Sequence, residues 1–227
     1  MVSGAAQSDV VKQIEAEFVA FVGAAAFPCL AGKGAVRRGD HTLRVYDTLG
    51  SDAAAVALSH DLDEFMGRGP AHGSGMRAFV AVFRGPAPVD EMAFERRLWR
   101  QLQRLHAHDD PGAEWDPTVS ADPANAQFSF SFGGKALFVV GMHPVSSRLS
   151  RRFGWPALVF NPRAQFERLR AEGKFERLST LVRKRDLALQ GSPNPNLAEF
   201  GEQSEARQYS GRATEPDWRC PFHRKES

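Results

Sequence analysis

Apolar residues recur at helical spacing from the start of the chain. Val11, Ile14, Phe18 and Val22 share one face behind Ser8, a candidate cap, and the helix should stop near Ala26 because Pro28 disfavours a helical Phe27. Residues 27–34, with Gly32 and Gly34, read as a loop. Leu43, Val45 and Leu49 flank Tyr46 in a short strand, and a polar helix follows from Ser51 to Met66 with Val56, Leu62 and Phe65 as its inner face. The run Met76 to Phe83 is apolar and β-branched enough for a buried strand. Asp90 caps the next helix, Val89 is placed to staple Phe94, and Phe94, Leu98, Leu102 and Leu105 form its inner stripe.

A long polar loop carrying Trp115 spans 107–126. Phe128, Phe130 and Phe132 then alternate with serine before Gly133-Gly134 and the apolar run Lys135 to Met142, which predicts a hairpin closed by a two-residue glycine turn. Ser146 or Ser147 can cap a short helix through Phe153, and 156–160 reads as another strand. Asn161 as cap and Pro162 at the first helical position open a helix carrying Phe166 and Leu169. Phe175, Leu178, Val182 and Leu189 mark the helix after Gly173. Interleaved helices and strands with an antiparallel hairpin predict a single α+β domain, its mixed and largely antiparallel sheet covered by helices. The domain core is expected over 1–189. Residues 190–227 contain Phe200, Tyr209, Trp218 and Phe222 at intervals too regular for a plain disordered tail, and are expected to wrap the core.

Composition narrows the classes. A chain of 227 residues can bury a sizeable core without disulfides or metal. Its 29 Lys+Arg against 27 Asp+Glu leave too small an excess to argue for nucleic acid, and no apolar stretch reaches the roughly 20 residues that span a bilayer. The two cysteines, Cys29 and Cys220, make no disulfide framework, and a reduced, cytoplasmic protein is expected. The order of a phosphate-binding glycine loop is absent around Gly32-Lys33-Gly34, so a flexible turn is the better reading. His106 and His108 lie two apart, without a third ligand at zinc-like spacing. Arg96, Arg100 and Arg104 line one helix face with Glu91 and Glu95 nearby, which suits a solvated surface.

The chemistry-bearing stretch is His143-Pro144-Val145-Ser146-Ser147-Arg148-Leu149-Ser150-Arg151-Arg152. An imidazole ends an apolar strand. On a helix Arg148, Arg151 and Arg152 would share one face, and guanidinium forks match carboxylates bidentately. An iron ligand, cations for two propionates and phenylalanines for a macrocycle are the parts a haem site needs. Pro28-Cys29 and Cys220-Pro221-Phe222-His223 offer competing thiolate ligands, Cys29 the stronger, and a free cysteine is otherwise a small buried hydrophobe. A capped surface helix with a core histidine is the plain alternative.

Several phrases together resemble the YqcI/YcgG family. They are Phe27-Pro28-Cys29, His143-Pro144 through Arg152-Phe153, Leu158-Val159-Phe160-Asn161-Pro162 with Gln165-Phe166-Glu167, Gln190-Gly191 with Asn194-Pro195, Ser204 through Arg212, and Trp218-Arg219-Cys220-Pro221-Phe222. Members of that family include haem-dependent N-hydroxylases of arginine and other guanidine-bearing compounds. The resemblance implies haem b, molecular oxygen as co-substrate and an amine or guanidine, arginine-like substrate. Lacking a flavin or iron–sulfur motif, the chain is expected to draw electrons from a separate reductase. His143 is the expected axial ligand with Cys29 as alternative, and Arg148, Arg151, Arg152 and Phe153 the expected haem contacts. Glu205 and Asn161 are candidates for holding a cationic substrate, and Tyr209 for hydrogen bonding to bound oxygen. A haem or gas sensor, or a haem carrier, is the non-catalytic alternative. Self-association as a homodimer is left open.

Overall fold

In the computed structural model, which describes residues 4–68, 75–198 and 200–224, five strands form one mixed sheet. They are β1 (His41–Thr48), β2 (Ala78–Gly85), β3 (Phe130–Phe132), β4 (Lys135–Met142) and β5 (Ala157–Pro162), in the spatial order β1-β2-β5-β4-β3. The helices are α1 (Gly4–Gly23), α2 (Leu30–Arg38), α3 (Asp52–Gly67), α4 (Glu91–Ala107), α5 (Ala164–Ala171), α6 (Phe175–Gln190) and the short α7 (Ala206–Tyr209). β1 and β2 are parallel, which requires a crossover, and α3 supplies it. Every other pairing is antiparallel. The chain is an α+β domain, and among the described residues no helix is long and apolar enough to cross a membrane.

Both faces of the sheet are covered, which explains the unbroken apolar run in β2. Phe79, Ala81 and Phe83 enter the larger core with Leu58 and Leu62 of α3 and Phe94, Leu98 and Leu102 of α4. Val80 and Val82 point the other way, onto Ile14, Phe18 and Val22 of α1. The β3–β4 turn forms as the glycine pair predicts: Gly133 and Gly134 have φ of +55° and +69°, the left-handed values a two-residue hairpin turn requires. Tyr209 and Phe222 are wholly buried in the larger core, so the C-terminal segment is part of the packing.

Four local expectations need correction. Residues 30–38 are helical: Cys29 caps α2, its Sγ accepting from the Gly32 N–H at 3.3 Å, and Gly39 ends it with φ +70°. Val56 faces solvent, and Ala55 and Leu58 take the inner positions of α3. Val89 is 85% exposed and staples nothing. Asn161-Pro162 does not open a helix but ends β5, Pro162 standing opposite Leu137, and α5 begins after Arg163. At Asn161-Pro162 sheet register outweighed a helix-cap signal worth about 1 kcal/mol.

Candidate functional site

β4 delivers His143 to the start of α4. The ring is fully buried and stacks on Phe94, centroids 4.2 Å apart. Burial pushes its pKa down to about 4, against an opposing pull from Glu91 and a small assist from Arg151, so the imidazole is neutral. Neither ring nitrogen has a hydrogen-bond partner, and the buried hydroxyl of Ser146 in the same turn has none either. The turn closes through Ser146 N–H to the His143 carbonyl at 3.2 Å, and Ser147 binds Glu91 through its N–H at 2.9 Å and its hydroxyl at 2.8 Å.

The expected helix after His143 does not form. Only a 3₁₀ turn, Leu149–Arg151, is present, so Arg148, Arg151 and Arg152 share no face. The guanidiniums leave in three directions. Arg148 pairs with Asp186 of α6 and donates to the carbonyls of Ser192 at 3.2 Å and Pro193 at 3.3 Å. Arg151 donates to the carbonyls of Gly141 at 3.0 Å, Gln208 at 3.2 Å and Tyr209 at 3.4 Å, and burial lowers its pKa to about 10. Arg152 folds back onto the carbonyls of Ser146 at 2.7 Å and Ser147 at 3.3 Å. Phe153 packs under α1, edge-on to Phe18 with centroids 5.6 Å apart. These bonds draw together segments that are remote in sequence: Gln190 accepts from Leu149 N–H at 2.8 Å, and the Arg151 bonds tie the turn to α7.

The remaining candidates hold structural posts. Glu205 is buried against Arg163, whose guanidinium also bonds Glu167 at 2.9 Å and lies 3.4 Å from the Phe200 ring centroid. Burial raises the pKa of Glu205 against the opposing pull of Arg163, and its second oxygen has no hydrogen-bond partner. Asn161 donates to the carbonyls of Phe138 at 3.1 Å and Val159 at 3.3 Å. The Tyr209 hydroxyl accepts from Phe130 N–H at 3.0 Å and donates to the Leu137 carbonyl at 3.4 Å, fixing α7 to the hairpin. Burial pushes the Cys29 thiol up, against its own bonds to the α2 backbone and the charge of Arg151. Arg163, Asp186 and the Glu95–Arg212 pair escaped the sequence reading, because no local pattern marks a partner more than 30 residues away.

The large concavity lies elsewhere. A groove of about 1360 Å³ runs between residues 121–126 and the C-terminal segment, above the roughly 300–1,000 Å³ of common small-molecule pockets. Trp218 and Cys220 contribute apolar surface above the buried Phe222, Arg207, Arg219, His223 and Arg224 cationic or basic groups, and Asp122 and Glu202 carboxylates. Trp218 is held from beneath by Trp99 of α4, centroids 6.1 Å apart. Gln103 of α4 clamps the backbone of His223 through two 2.9 Å bonds. Burial raises the Cys220 thiol to about 12 despite a bond from the Phe222 N–H.

Haem fits these two places differently. At His143 a neutral, partnerless imidazole is a competent iron ligand, but Phe94 covers its face and the nearby arginines are committed to carbonyls and Asp186. In the groove the donor set matches the group: a thiol and an imidazole for iron, guanidiniums for propionates, and the Trp218 ring for the macrocycle, with Phe222 buried beneath it.

The model of the YqcI/YcgG family matches residues 18–223, nearly the whole described chain. The chain belongs to the YqcI/YcgG family. It is 35% identical over 135 residues to "Uncharacterized protein YqcI" of Bacillus subtilis (strain 168). That match takes in 57% of this chain and 52% of the relative, so the chain spans about half the length of the curated relative it matches. No solved structure matches the chain.

Proposed function

We propose that this YqcI/YcgG-family protein is a haem-dependent monooxygenase that N-hydroxylates an amine or guanidine substrate, with haem b seated in the groove beside the C-terminal segment. The groove carries the reading, because among the described residues it joins sufficient volume, aromatic walls, basic side chains and two iron-competent donors. Cys220 is the first candidate ligand and His223 the second. Metal ligation displaces a thiol proton, so a raised thiol pKa sets a pH dependence on binding and does not forbid it. When bound, the haem would supply oxygen activation, with O2 as co-substrate and electrons from a separate protein.

The chain's own residues would provide the rest. Arg219 and Arg224 are exposed on the groove wall and would neutralise the propionates. Arg207 is tied to the carbonyls of Glu215 at 2.9 Å and Pro216 at 3.0 Å and would keep the Trp218 loop in place. A cationic substrate needs a carboxylate to offset its desolvation, and Asp122 lies on the wall whereas Glu205 is committed to Arg163.

Reconstitution with haemin tests the reading. The expected result is one haem per chain with a Soret band that shifts in Cys220→Ser or His223→Ala and keeps its position in Cys29→Ala. Loss of the Soret band in His143→Ala alone would move the seat back to the β4 end. A protein that takes up no haem ends the haem reading, and haem without oxygen-dependent product from a guanidine panel leaves the carrier or sensor.

A further inference from the structure

The exposed face of α4 carries a row of guanidiniums that, among the described residues, form no salt bridge with a carboxylate. Arg96, Arg100 and Arg104 stand four residues apart, about 6 Å per step, with Arg97 beside them. The sequence suggests Glu91 and Glu95 as their partners, but the fold sends both away. Glu95 is buried against Arg212 at 2.9 Å and Ser210 at 3.1 Å, and Glu91 binds Ser147. Asp52, whose charge Arg104 senses, is hydrogen-bonded to His108 at 2.9 Å. Arg97 donates to the Pro86 carbonyl at 3.3 Å. Other arginines are neutralised by carboxylates: Arg38 by Asp40, Arg148 by Asp186, Arg163 by Glu205, Arg212 by Glu95. Like charges at this spacing cost a helix a few tenths of a kcal/mol per pair, roughly 0.2–0.5.

Apolar side chains adjoin the row. Val89 is 85% exposed and Met92 53%, Met92 one turn before Arg96, and Val145, 43% exposed, lies two residues from Ser147, which is bonded to Glu91. Arginine with methionine and aliphatic surface is the composition of a protein–protein interface, whereas a phosphate backbone offers such apolar residues nothing. Trp99, one turn from Arg96 on the flank between the arginine row and the buried stripe, stacks on Tyr209 at 5.7 Å and touches Trp218 of the groove wall at 6.1 Å. A partner on the arginine row therefore lies beside the helix that supports the groove wall.

We propose that this face of α4 docks the acidic surface of a small one-electron carrier protein. The identity of the partner rests on the haem reading; the surface itself rests on the unpaired guanidiniums and the apolar patch. Opposite charge would steer encounter and set orientation, with a strong dependence on ionic strength.

The test measures binding of a purified acidic flavodoxin to the full chain by calorimetry across a salt series. Wild type should bind at low salt and weaken at least tenfold as the salt rises. The double variant Arg96→Glu, Arg100→Glu should lose tenfold or more at low salt. The neutral pair Arg96→Gln, Arg100→Gln should lose less, and guards against misfolding. Arg177→Glu with Lys184→Glu on α6 should bind like wild type. Equal flavodoxin affinity in wild type and the α4 variants overturns the surface, as does a face that captures a single-stranded oligonucleotide and no flavodoxin. Charge-dependent docking by a chain that takes up no haem leaves the surface standing and ends the haem reading. Haem reduction indifferent to both salt and α4 charge does the reverse.

Discussion

Acidification provides the sharpest test of how His143 is housed. The buried ring titrates at about 4, against about 6.5 for an exposed histidine. The unfolded chain therefore binds the proton more readily than the folded one, and stability present at neutral pH is lost as pH falls from 6.5 towards 4. Between pH 8 and pH 5 this single group should cost about 2 kcal/mol, and the loss saturates near 3.4 kcal/mol below pH 4. For a chain of this length that corresponds to a drop of roughly 4–8 °C in Tm. Other groups titrate in the same range, so the informative quantity is a difference. His143→Gln cannot charge, and leaves Glu91 and Arg151 in place. Urea denaturation of both proteins from pH 8 to pH 5 should show wild type losing about 2 kcal/mol more than the variant. Parallel pH profiles would mean that the imidazole reaches solvent or a proton acceptor, and that the packing against Phe94 is not what governs it.

Two further outcomes test the packing of the core. A Cβ at Gly141 would lie 2.6 Å from Phe94, 2.8 Å from the Tyr209 carbonyl and 2.9 Å from Leu98, so Gly141→Ala should destabilise by on the order of 3 kcal/mol, read from the denaturation midpoint at unchanged slope. Glu205→Ala strands the buried Arg163 guanidinium and should cost about 3–5 kcal/mol, whereas Glu205→Gln keeps an acceptor and should cost clearly less; equal losses would mean that the pair is not buried as described.

The legible parts of this protein are those whose cause is local. Two adjacent glycines with positive φ close the β3–β4 hairpin whatever surrounds it, and the stripe Phe94, Leu98, Leu102, Leu105 must face a core. The strand ending at His143 was legible for the same reason. Illegible in the sequence were the destinations of charged side chains. Arg148 lies 38 residues from Asp186, Glu95 lies 117 residues from Arg212, and Arg163 lies 42 residues from Glu205. A guanidinium has no preferred sequence distance to its partner, so a cluster that would share one face of a helix gives no warning when the chain makes a 3₁₀ turn instead.

Cys29 illustrates the same division at small scale. The sequence offers Phe-Pro-Cys before two glycines and suggests a loop, while burial of Ala35 and the Gly39 terminus made those glycines helical and turned the thiol into a cap. Periodicity and turn chemistry by themselves determined the α+β class and the inner stripe of α4, because the backbone repeats of helix and strand are properties of the chain alone. Tertiary structure decided where the cavity lies, which arginines are neutralised and which face solvent, because burial and charge pairing are settled only when distant segments meet.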